Sequence, residues 1–125
     1  MPNLHWNHLT PIQLGQYAAH YTKLEFASYG FQVYSAEVMG YGIDFVLKTI
    51  SKQYYEVVVK SIRDTSNYIF VPKEKFDIFQ NNLLMAVVIF MESFHPKVYL
   101  IPAAAWQHPN DLLRDMDYEG LKSNP

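Results

Sequence analysis

Apolar and polar positions divide this chain into one long helical segment and several short alternating ones. Thr10, Pro11 and Gln13 form the pattern of a capping box with proline at the first helical position. Leu9 and Leu14 stand at the two ends of a hydrophobic staple. Leu14, Tyr17, Ala18, Tyr21 and Leu24 then recur at the spacing of one helical face, and Gly30 is a natural stop. A helix is expected from about Pro11 to Tyr29. Alternation over FQVYSAEV predicts a strand from Phe31 to Glu37. The stretch GIDFVLKTISKQYYEVVVK, Gly42 to Lys60, reads as two strands around a turn near Ile50 and Ser51. These strands are expected over Ile43 to Lys48 and Gln53 to Ile62.

Arg63 to Asn67 is polar and reads as a loop, and Tyr68 to Val71 as a short extended segment. Pro72 opens a second helix, KEKFDIFQNN. Ala86 to Met91 is apolar throughout, and its β-branched residues and brevity predict a buried central strand. A turn at Phe94, His95 and Pro96 leads to a strand from Lys97 to Ile101, which Pro102 ends. A short last helix is expected from Pro109 through Leu113, with Trp106 covering an open edge of the core. The order predicts an α/β fold: a helix, a three-stranded meander, a helix and two further strands, with a central mixed sheet flanked by helices.

The length of 125 residues suits one domain, residues 1–125, with a real core. Half of the residues are hydrophobic and 16% aromatic, which excludes a disordered chain. A net charge of −2 gives no global basic footprint for nucleic acid but leaves a local one open. With no cysteine there is no disulfide framework, thiolate metal site or cysteine nucleophile. The start, MPNLHWNHLT, lacks the basic and apolar regions of a leader and reads as a mobile segment. The run Leu83 to Met91 is too short to span a bilayer. These features predict a cytoplasmic protein with no membrane partner. The end, LKSNP, closes no element, so a truncated or mobile terminus is expected.

Two charges stand among apolar residues of the hairpin, Asp44 and Lys60. Such a placement is costly unless the charges have partners or a task. The proposed turn sets Asp44 opposite Val57 to Lys60. A buried ion pair, or a lysine reaching out to solvent, explains both residues without any chemistry. The other explanation is a site in which both groups converge at the sheet beneath the opening helix.

The stretches LGQYAAHYTKLEFASYGFQVY, GIDFV, YYEVVVKSI and VYLIP together resemble the PD-(D/E)XK, or restriction-endonuclease-like, nuclease superfamily, in particular a branch of small bacterial domains of unknown function. The resemblance spans about Leu14 to Ile101. It implies a Mg²⁺-dependent hydrolase of DNA phosphodiester bonds, in which the metal stabilises charge on phosphate and lowers the pKa of water. It further implies that Asp44 binds the metal with the Val59 backbone carbonyl, and that Lys60 orients the attacking water. Two positions depart from the pattern. Val58 stands where the family carries Glu or Gln, and Ala19 where a helix Glu is expected. One carboxylate makes a poor Mg²⁺ site. Glu56, Glu37, Gln16 and His20 are the substitutes within reach of the argument. The resemblance therefore implies an eroded site, with a binding or structural role on DNA, on a protein partner or within a homodimer; an active endonuclease is the alternative.

Lys60, Arg63, Lys73 and Lys75 cluster in sequence and offer possible phosphate contacts. Interleaved Asp64, Glu74 and Asp77 favour an ordinary solvated face. Tyr54, Tyr55, Tyr68 and Tyr99 could stack on bases, but packing explains them as well. The five histidines show no HExxH pattern, and there is no GxGxxG, P-loop or GxSxG.

Overall fold

The structure is a computed structural model that describes residues 2–35, 42–65 and 79–104. Among these residues it is an α/β fold with one helix and a five-stranded mixed sheet. Helix α1 spans Pro11–Ser28, followed by strands β1 (Gln32–Ser35), β2 (Phe45–Lys48), β3 (Tyr54–Arg63), β4 (Leu83–Phe90) and β5 (Lys97–Pro102). The spatial order follows the chain, β1-β2-β3-β4-β5. Only β3 and β4 run parallel; the other three pairings are antiparallel.

Helix α1 forms for the reasons its sequence suggests. The Thr10 hydroxyl accepts from the Gln13 amide at 3.2 Å, and the Gln13 side chain accepts from the Thr10 amide at 2.9 Å. The helix ends where Gly30 takes φ +92°. There the Gly30 amide reaches Ala27 O and the Phe31 amide reaches Phe26 O, the paired bonds of a Schellman ending. The buried row is Leu14, Ala18, Thr22 and Phe26. Leu24, expected on that face, is 70% exposed, while Thr22 is wholly buried and satisfies its hydroxyl on Ala18 O at 2.7 Å.

Strand alternation sorts the sheet into two faces. Phe45, Leu47, Val57 and Ala86 point to α1 and pack with Phe26; Val88 and Phe90 pack with Leu14, Ala18 and Trp6. The other face gathers Val58, Leu83, Met85, Val87 and Ala103. Each fully buried Phe or Val of this kind contributes about 1.5–3 kcal/mol of transfer free energy.

Several boundaries shift. β4 begins at Leu83, three residues before the expected start, and Phe79, Asn81 and Asn82 form turns where the second helix was to end. The rest of that helix, the segment Tyr68 to Val71, the last helix and Trp106 fall outside the described residues. β2 begins at Phe45, leaving Ile43 and Asp44 ahead of its ladder. Pro102 belongs to β5 as its last residue. No helix among the described residues is long and apolar enough to cross a membrane.

The opening segment, expected to be mobile, is docked. Trp6 is 2% exposed, packs edge-on against Phe90 and donates its Nε1–H to Phe94 O at 2.9 Å. The Glu92 carboxylate accepts from the Trp6 amide at 2.7 Å, the Asn7 amide at 3.0 Å and His5 Nδ1 at 2.9 Å. Arg63 closes the latch from below, donating to Trp6 O at 3.1 Å and to Leu9 O.

These bonds, the Trp6 amide first, hold the Glu92 carboxyl below its ordinary pKa of 4.5. A carboxyl with a depressed folded pKa stabilises fully above its unfolded value and loses that contribution as pH falls through the folded one. The latch is therefore expected to hold at neutral pH and to loosen as pH drops below 4.5. The protection of the Trp6 and Asn7 amides, taken relative to intrinsic exchange at each pH, should fall over that window. In Glu92→Gln that protection should be low already at neutral pH and change little on acidification.

Candidate functional site

β3 has ten residues and β2 has four, so β3 runs on past the end of its antiparallel neighbour. The ladder pairs Phe45 with Val57 and Val46 with Glu56. Immediately before it, the Asp44 amide donates to Val57 O at 2.9 Å. Its carboxylate Oδ2 then accepts from the Val59 amide at 2.6 Å. That short, charge-assisted bond takes the place of the next rung of the sheet. Amide and carbonyl of one strand residue point to the same side. The Val59 carbonyl thus lies along the same edge as the Asp44 carboxylate, and the expected placement of Asp44 against Val57 to Lys60 agrees with the geometry.

Lys60 is arranged otherwise. Alternation puts it with Val58 and Ile62, on the face away from α1. It is half-buried and forms no ion pair with Asp44, which is exposed; among the described residues the one ion pair is His5 with Glu92. The buried ion pair and the pocket beneath the opening helix both give way to this arrangement. Asp44 is held by backbone instead of by an ammonium, and α1 lies across the sheet from Lys60.

Val58 is 5% exposed within the cluster of Leu83, Met85 and Val87. Ala19 lies one helical turn before Lys23, whose ammonium donates to Ser35 Oγ at 3.0 Å and sits 5.9 Å from the centroid of the Phe45 ring. That side of α1 accordingly faces β1 and the start of β2, where Ala19 offers no oxygen. Glu56 is opposite Val46, and its Oε1 accepts from Gln80 Nε2 at 2.6 Å. Gln16 and His20 are exposed. Arg63 is engaged with the opening segment. Glu37, Lys73 and Lys75 lie outside the described residues. Tyr54 and Tyr99 are each 52% exposed, whereas Tyr55 packs beside Phe45 and Leu47.

The donor set for a divalent cation is thus one carboxylate, already engaged through Oδ2, and one backbone carbonyl. Mg²⁺ takes near-octahedral oxygen coordination and usually one or two carboxylates besides water and phosphate. Among the described residues this donor set does not fit such a site. No protein-family model and no curated protein matches the chain.

The residues missed by the sequence reading are those of the latch, Trp6 and Glu92. Their partners are 86 residues apart along the chain, and nothing local in either segment signals the contact.

Asp44→Ala is expected to destabilise the fold by about 1 kcal/mol, through the lost bond to the Val59 amide. Val58→Glu should cost more than about 2 kcal/mol, because it puts a carboxylate into an apolar cluster. Since Asp44 and Lys60 do not pair, the effects of Asp44→Ala and Lys60→Ala should add to within about 0.5 kcal/mol. Urea unfolding of the four variants, including the double, measures all three. Coupling clearly above that figure would restore the ion pair.

Proposed function

We propose that this chain is a cytoplasmic, nuclease-like α/β domain of the PD-(D/E)XK kind whose catalytic set has eroded, and that it works by binding, with DNA the partner its ancestry points to. The element order supports this reading: an opening helix, an antiparallel three-stranded meander and a fourth strand parallel to the third. So does the meeting of Asp44 with the edge of β3 at Val59.

The observation that carries the loss of catalysis is the packing of Val58. An oxygen ligand at that position would have to leave the apolar cluster of Leu83, Met85 and Val87 to reach a metal beside Asp44. Erosion here is more than a missing functional group, since the surrounding core is built for a valine. Asp44 remains because the Val59 amide needs an acceptor whether or not any metal binds.

Purified protein incubated with supercoiled plasmid and Mg²⁺ or Mn²⁺ should give no cleavage above that of Asp44→Ala. Fluorescence anisotropy with a labelled duplex should show binding that Asp44→Ala leaves within about twofold, because Asp44 faces backbone and carries no phosphate-attracting charge. Metal-dependent cleavage abolished by Asp44→Ala would overturn the reading in favour of an active endonuclease.

A further inference from the structure

The β2–β3 hairpin ends in a tight turn. The Thr49 amide reaches Gln53 O at 2.8 Å, and the Lys52 amide reaches Thr49 O at 2.9 Å. Lys52 takes φ +65°, a left-handed conformation that such turns ordinarily give to glycine or asparagine. Beside this turn lies a cavity of about 240 Å³, lined by Gly30, Gln32, Lys48, Thr49, Ile50 and Lys52. The lining holds two lysines and no carboxylate.

The donors are available. Gln32 Oε1 accepts the Tyr34 hydroxyl at 2.8 Å, which leaves its Nε2 hydrogens uncommitted. The Lys48 ammonium lies 5.7 Å from the centroid of the Tyr54 ring and forms no ion pair among the described residues. Gly30 contributes wall without a side chain, and a Cβ placed there would meet nothing within 4 Å. Nor are the lysines needed to satisfy the end of α1. Its carbonyls at Glu25, Phe26 and Ala27 already accept from the Ser28 hydroxyl, the Tyr29 and Phe31 amides and the Gly30 amide. The helix end supplies about half a negative charge, which two ammonium groups exceed.

We propose that this cavity binds a phosphate dianion, free or as a phosphomonoester of a small metabolite. Two lysines and a glutamine line it with no carboxylate among them, and the volume suits a group smaller than a drug-sized ligand. Glycine would fit the φ of Lys52 better, and the lysine there adds a positive charge to the cavity lining. The site lies roughly 15 Å along β2 from Asp44 and stands apart from the nuclease-like reading.

The test is a titration of the whole protein followed by amide chemical shifts, with inorganic phosphate and adenosine monophosphate as separate probes and chloride at matched ionic strength as control. Saturable shifts at Gly30, Gln32 and Thr49 are expected with phosphate and not with chloride. Equal affinity for both probes assigns the site to the phosphate group alone; tighter binding of the nucleotide assigns it to an ester. Lys52→Gly relaxes the turn, so it should fold at least as well as the parent yet bind about tenfold more weakly or worse, as should Lys48→Met. Shifts shared with chloride, or affinity unchanged in both variants, would overturn the proposal.

Discussion

The difference in length between β2 and β3 governs the arrangement of this molecule. β3 pairs in parallel with β4 from Glu56 to Arg63 and builds the core on both faces. β2 stops after four, and the backbone of β3 beyond Val57 needs an acceptor from elsewhere. Asp44 supplies it to the Val59 amide. A carboxylate suits this task because it accepts strongly from a side chain short enough to lie in the plane of the sheet. The acid that looked like a lone charge in an apolar hairpin is therefore part of the sheet's hydrogen bonding.

That assignment changes the meaning of the neighbouring positions. A sheet has two faces, and α1 takes one of them with Phe26 against Phe45, Leu47 and Val57. Val58 and Lys60 belong to the other, as Asp44 does by register, yet the Asp and Lys of the hairpin form no ion pair. Binding reactive groups to one metal would require side chains to rise from the same surface as Asp44. Here that surface is committed to valine packing, and the Glu56 carboxylate, two residues before Val58 on β3, is bonded to Gln80.

Local chemistry was legible, and long-range closure was not. The start and end of α1 are written in Thr10, Gln13 and Gly30, because caps depend on residues three to five apart. The hairpin and its register followed from alternation and the position of the turn. The buried face of α1 was read only in part: counting apolar residues selects Leu24, but the sheet accepts the row ending in Phe26 and admits Thr22, whose hydroxyl bonds within the helix. β4 starts earlier than its apolar run suggests, because Asn81 and Asn82 read in sequence as a helix end but turn the chain into the parallel strand. Trp6 gave no periodic signal. Its burial depends on Glu92, Phe94 and Arg63, which come from two distant parts of the chain.

The two ends of the hairpin differ in how their polar groups are spent. At the Asp44 end the carboxylate Oδ2 accepts from backbone, and the adjacent Val58 packs in an apolar cluster. At the Lys52 end a left-handed lysine, a second lysine near the Tyr54 ring and a glutamine surround open space. Uncommitted donors of one sign around a concavity favour an anion, while a satisfied carboxylate beside apolar packing favours nothing but the fold. The chemistry of recognition therefore belongs at the turn, where sequence reading sees only a polar connection between strands. Asp44 at the other end does structural work that the sheet would need in any case.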